Sequence, residues 1–258
     1  MRLTRPVLAV LTIGLIAAVP SAQAGFTEYI IRSNPVINHP APGEIEFVIS
    51  AGGQKAGLGS NDINGQKIGD IQQVAITRLD DHTRFPAGSG PMFAPYLNIW
   101  ITNGAGKFAV VANEPTNPDM QPLYSNGWDF SFADLSNKAA KIFENADMSW
   151  LPNNGVGLTF ADLAGFTIQA PTVAELAANW AGLGTGAPRE FGTNVAYGVN
   201  WIFGDTLQNY VAGADGYIVK DAKVQGSAAA VPETASFSVW GLGLLALLIG
   251  RRSLRRQQ

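Results

Sequence analysis

Between Val195 and Phe203 every second residue is large and apolar. Val195, Tyr197, Val199, Trp201 and Phe203 fall on one side of an extended chain, with Ala196, Gly198, Asn200 and Ile202 on the other. A repeat of two is the mark of a β-strand that buries one face, and a helix would scatter these side chains around its axis. The pattern recurs. Ile45, Phe47 and Ile49 alternate with Glu46 and Val48; Leu97, Ile99 and Ile101 alternate with Tyr96, Asn98, Trp100 and Thr102; Val156, Leu158 and Phe160 alternate with Gly157 and Thr159. Less regular strands are expected near Tyr29–Ile31, Val74–Leu79, Phe108–Ala112 and Tyr217–Val224. Turn pairs such as Gly52-Gly53, Asn64-Gly65, Asn103-Gly104 and Asn154-Gly155 punctuate them.

Helical signals are few. Thr172 and Glu175 form a capping box, and Val173, Leu176, Ala177 and Trp180 then follow at helical spacing. A second helix is expected from Ser136 to Glu144, with Ala139, Ile142 and Phe143 facing inward. Many strands at irregular intervals, with one or two helices in loops, predict an all-β fold. The expected form is a two-sheet antiparallel sandwich of jelly-roll type, with a closed barrel as the alternative.

The two ends stand apart from this pattern. Residues 1–24 carry Arg2 and Arg5, an apolar run from Val7 to Val19, and Ala22-Gln23-Ala24. These are the parts of a secretory signal peptide cut before Gly25, which implies export through the Sec pathway. The body spans 25–224, residues 225–230 form a linker of mostly small residues, and 231–258 form a tail with an apolar helix over 235–250. Two of the 17 Lys and Arg lie before Gly25 and four in the last eight residues. That leaves 11 in the body against 19 Asp and Glu, a net charge of −8. Such a body repels phosphates, so nucleic acid is not an expected partner. There is no cysteine, which excludes thiol chemistry and cysteine metal sites. With only His39 and His82, sites needing several imidazoles are also excluded.

No G-x-S-x-G motif is present, and no catalytic residue is assigned. Three kinds of chemistry retain candidates. Tyr96, Asn98 and Trp100 share the face opposite the Leu97/Ile99/Ile101 stripe, and aromatic rings beside an amide are the groups that hold sugar rings; the competing reading is a strand covered on both faces. Glycoside hydrolysis would need two facing carboxylates, for which Glu46, Glu114, Asp129 and Glu190 are candidates. No other cofactor or metal is implied, but calcium would suit the oxygen-rich loops. Asp80, Asp81, Asn117, Asp119 and Asp205 are its candidate ligands, against the plainer reading of turn residues bonding their own backbone.

The tail carries the most specific signal. Pro232, Glu233 and Thr234 precede the apolar run, and Arg251, Arg252, Arg255 and Arg256 close the chain. The arginines act as a membrane stop and stay cytoplasmic by the positive-inside rule, which puts the body on the periplasmic side. This order of elements resembles the PEP-CTERM sorting signal of Gram-negative bacteria. The family's Pro-Glu-Pro maps onto Pro232, Glu233 and Thr234, with threonine in the third position. The resemblance covers about a tenth of the chain. It implies an exosortase-type membrane protease as partner, transient anchoring in the inner membrane, and then transfer to the cell surface or an exopolysaccharide matrix. For the body it implies no activity. The expectation is therefore a non-enzymatic surface or matrix protein that binds polysaccharide, with a glycan-active hydrolase as the alternative.

Overall fold

The structure is a computed structural model that describes residues 25–80, 95–113, 117–125, 127–142, 148–177, 196–204 and 216–227. The expected signal peptide (1–24) and the expected sorting tail (231–258) lie outside these residues. What is described is mostly β, in two antiparallel sheets.

The strands are β1 (Thr27–Arg32), β2 (Val36–Asn38), β3 (Ile45–Val48), β4 (Lys55–Ser60), β5 (Ile71–Arg78), β6 (Tyr96–Thr102), β7 (Phe108–Asn113), β8 (Asp129–Phe130), β9 (Lys141–Ile142), β10 (Thr167–Ile168), β11 (Val199–Phe203) and β12 (Tyr217–Gly226). Short helices α1 (Gln121–Ser125), α2 (Phe132–Leu135) and α3 (Val173–Ala177) sit between them. The larger sheet runs β1-β4-β11-β6-β7-β9, with β10 also paired to β6; the smaller runs β2-β3-β12-β5-β8. In both, a late strand inserts between early ones: β11 between β4 and β6, and β12 between β3 and β5.

Alternation along β11 decides what lies between the sheets. Trp201 pairs with Leu97 on β6 and Leu58 on β4, while Val199 pairs with Ile99, so these side chains share one face. Opposite them stand rings from the smaller sheet. Phe203 stacks on Phe47 with centroids 3.9 Å apart, Trp201 lies 5.9 Å from Phe130, and Phe203 lies 5.9 Å from Tyr217. The smaller sheet keeps a wet outer side: along β12, Tyr217 and Val219 are buried while Asp221, Lys223 and Gln225 are exposed.

The other face of the larger sheet is buried as well, and this explains β4. Its sequence Lys-Ala-Gly-Leu-Gly-Ser has no strong strand former, yet all six residues are buried. Gly57 and Gly59 leave room for two rings. A Cβ at Gly57 would come within 2.5 Å of the Tyr29 ring, and one at Gly59 within 2.5 Å of the Tyr197 ring. At Gly59 the blocking atoms include Cβ and Cγ of Tyr197, which cannot swing away without moving their backbone. Gly59→Ala should therefore cost about 1–3 kcal/mol by overpacking. Gly165→Ala, where nothing lies within 4 Å and the backbone needs no glycine, should be close to neutral. Urea unfolding of the two variants checks this contrast.

The structure corrects two sequence expectations. Residues 136–142 are not a helix. A Ser131–Asp134 capping box starts α2 five residues earlier, Ser136 already closes it, and Lys141–Ile142 pair with β7 instead. The segment Val156–Phe160 is not a strand. Val156 is 66% exposed, and 3₁₀ turns at Pro152–Gly155 and Ala161–Leu163 flank the segment. Its Thr159 makes a single bridge to Ala139. Two further boundaries shift. β11 begins at Val199, since Ala196–Gly198 are not strand and Val195 lies outside the described residues. β12 takes Gln225 and Gly226 from the expected linker, and the Ser227 N–H then donates to the Asp70 carbonyl at 2.8 Å. Where β12 changes register, between Lys220 and Lys223, Asp221 takes a left-handed φ of 52°, the conformation of a bulge.

Candidate functional site

The sugar-binding candidates occupy one face of β6, as their spacing requires, but that face is covered. Tyr96 is 4% exposed, Asn98 5% and Trp100 2%. They sit in a buried layer of polar and aromatic groups. The Tyr29 hydroxyl donates to Asn200 Oδ1 at 2.6 Å, and Asn200 Nδ2 donates to the Tyr197 carbonyl at 2.7 Å. Lys55 Nζ lies 5.6 Å from the centre of the Tyr96 ring. Burial pushes the Tyr29 phenol well above its ordinary pKa, reinforced by Tyr197. The structure offers these three side chains as no open platform for a sugar ring.

Of the calcium candidates, Asp80 is already committed. Arg78 Nε donates to Asp80 Oδ1 at 3.1 Å, and its Nη2 contacts Oδ2. Both side chains are essentially sealed from solvent. The guanidinium carbon lies 4.5 Å from the Trp128 ring centre and 5.4 Å from that of Tyr217. Trp128 is fixed in turn by donating its Nε1–H to the Pro95 carbonyl at 2.9 Å. This is an internal strut between β5, β12 and the segment before β8. Asp81, His82 and Asp205 lie outside the described residues, and among those described no three His, Cys, Asp or Glu gather.

The described carboxylates proposed for hydrolysis do not meet. Glu46 on β3 accepts from Asn38 Nδ2 at 2.9 Å and from the Gly216 N–H at 3.0 Å. Asp129 on β8 accepts from Gln73 Nε2 at 2.9 Å. Strands β12 and β5 separate them, a gap of roughly 14 Å at about 4.8 Å per strand. That exceeds the ~5–9.5 Å between paired catalytic carboxylates. Glu114 and Glu190 lie outside the described residues.

An open cleft of about 380 Å³ lies elsewhere, at the β9 edge of the larger sheet. Three segments build it. In the first, Asn117 Oδ1 accepts the Asp119 N–H at 3.0 Å, closing an Asx turn that the fully buried Met120 pins down. In the second, the chain leaves α2 through Asn137 and runs on to Lys141. In the third, Gly157 to Thr159 lie alongside, held by Ala140 N–H to the Leu158 carbonyl at 2.8 Å and Phe160 N–H to the Lys138 carbonyl at 3.1 Å. Two further caps stiffen these segments. Thr159 donates its N–H and its hydroxyl to Asp162 Oδ2, both at 2.8 Å. The hydroxyl and N–H of Ser131 donate likewise to Asp134. These bonds hold both carboxyls below their ordinary pKa. Ala139, Ala140 and Leu158 make the apolar part of its lining, and Asn117, Asp119, Asn137 and Thr159 the polar part, with Lys141 and Gly157 beside them.

Sequence reasoning singled out Asn117 and Asp119 and missed the rest. Asn137 and Thr159 carry no local signal, and only the pairing of 138–140 with 158–160 brings them near. Comparisons of the chain with protein-family models, with curated proteins and with solved structures gave no match. Among the described residues no helix is long and apolar enough to cross a membrane, and the run 235–250 lies outside them.

Proposed function

We propose that this is an exported, non-enzymatic protein of the cell surface or extracellular matrix, in contact with polysaccharide and sorted there through its C-terminal tail. The observation that carries the reading is the order of elements after residue 230. A Pro-Glu-Thr motif precedes an apolar run, and that run precedes an arginine cluster. The signal segment gives the same orientation by an independent route, since it places the body outside the membrane that the arginines cannot cross. The body is a two-sheet sandwich of jelly-roll type in this reading, supported by the insertion of β11 and β12 between earlier strands.

The anchor works as a delay rather than a destination. Counting from Ala235 and letting Arg251 and Arg252 extend along the acyl chains, about 18 residues span most of a ~30 Å hydrocarbon core. The body is then held at the outer leaflet until the motif is cut. Glu233→Ala should leave the protein in the membrane fraction at full tail length, because it removes the charged group of the motif. Thr234→Pro restores the family's third residue and should speed release. Fractionation of cells carrying each variant tests both. Release of Glu233→Ala at the unmodified rate would overturn the role of the motif.

A further inference from the structure

We propose that the cleft between Asn117–Asp119, Asn137–Lys141 and Gly157–Thr159 is a binding site for a neutral, polyhydroxylated ligand, a segment of uncharged oligosaccharide. The inference deepens the surface reading above, and rests on it for the source of the ligand. Its volume of about 380 Å³ falls within the ~300–1,000 Å³ of small-molecule sites. The lining has two layers with different tasks. Ala139 is half-buried and Ala140 and Leu158 are buried; together they make the apolar part of the lining, which suits the C–H face of a sugar ring. Around them Asp119 offers only acceptors, while Asn117 and Asn137 offer amide donors and acceptors. Neighbouring hydroxyls on a sugar ring need this mixture, because each hydroxyl both donates and accepts.

The charges narrow the class further. Among the described lining residues, Asp119 brings a carboxylate and Lys141 an ammonium. The Asp119 carboxylate opposes a polyanion, and the Lys141 ammonium opposes a calcium ion. The polar groups are also available. Among the described residues no hydrogen bond engages the Asp119 carboxylate or the Asn137 side chain, and both residues are exposed. Asn117 spends only Oδ1 on its own turn and keeps Nδ2 as a donor. The backbone beneath is fixed by the Ala140–Leu158 and Phe160–Lys138 bonds, so little ordering entropy opposes binding.

The test uses the full chain in detergent micelles and ligand-observed NMR. The probes are neutral hexasaccharides of glucose, galactose, mannose and N-acetylglucosamine, an alginate hexamer, and calcium chloride alone. At least one neutral probe should bind, with affinity reduced about tenfold or more by Asp119→Ala and by Asn137→Ala. Melting temperature should not change, since both side chains are exposed and bear no structural bond. Asp119→Asn keeps the shape and an acceptor, and should fall between the unmodified protein and Asp119→Ala. The proposal is overturned if no neutral probe binds, if binding is unchanged in both alanine variants, or if only alginate or calcium binds. Any of these results would leave the sorting reading intact, because export and tail cleavage are scored by fractionation and mass.

Discussion

Asp80→Ala is expected to destabilise the fold by about 3–5 kcal/mol, read as a lower urea midpoint. The reason is what stays behind. Arg78 is 1% exposed at its side chain, with its guanidinium between Trp128 and Tyr217. Removing Asp80 leaves that cation buried with aromatic faces alone, worth about 0.5–2 kcal/mol, against several kcal/mol of desolvation. Asp80 Oδ1 also accepts the Ile218 N–H at 3.3 Å, so the β12 backbone loses a partner as well. Arg78 Nη1 already lacks a hydrogen-bond partner, so the site has no spare acceptor to recruit. Arg78→Met combined with Asp80→Leu removes both charges and should recover most of the loss. A cost below about 1 kcal/mol for Asp80→Ala would contradict the strut.

The second large effect belongs to Trp201. It is fully buried at the middle of β11, paired with Leu97 and Leu58 on either side and 5.9 Å from Phe130 across the sheets. Trp201→Ala opens a cavity where the larger sheet meets the smaller, and should cost about 3–5 kcal/mol. Trp201→Phe is the informative comparison. The indole Nε1–H is buried without an acceptor, a penalty of about 1–3 kcal/mol that phenylalanine removes. That gain offsets part of the smaller cavity, so Trp201→Phe should stay within about 1.5 kcal/mol of the unmodified protein. A loss for Trp201→Phe well above about 1.5 kcal/mol would show that cavity volume governs the position and that removing the unpaired N–H brings no gain.

The strands that period-two alternation identifies are those whose long-range partners match their local pattern. β3, β6 and β11 were legible for that reason, and α3 because Thr172 and Glu175 lie next to the helix they cap. β4 was not legible. Its glycines answer to Tyr29 and Tyr197, which lie about thirty residues before and 138 residues after Gly59. Nothing local announces them. The segment Val156–Phe160 alternates like a strand, but there the alternation only lets Leu158 and Phe160 reach the core from a loop. Ser136–Glu144 read as a helix because its apolar spacing fits one. The competing signal, Ser131 with Asp134, uses aspartate where glutamate or glutamine is the usual partner.

The candidate chemistry was legible in the same uneven way. Spacing placed Tyr96, Asn98 and Trp100 on one face correctly, but a single strand cannot reveal whether that face is wet. The 48 positions that separate Trp128 from Asp80 likewise hide that Arg78, Asp80 and Trp128 converge on one buried point. Asn117 and Asp119 could be named from their turn. The apolar lining that gives them a use comes from a pairing between 138–140 and 158–160, which needs both segments in place.

In the proposed reading the tail is an address, removed once read. The intact mass of the protein, from cells with and without the membrane transpeptidase, tests it most directly. With the enzyme, the chain should begin at Gly25, end within Pro232–Thr234 and leave the membrane fraction; without it, the chain should run to Gln258 and stay membrane-bound. A tail that remains whole and membrane-bound in both strains would contradict the account.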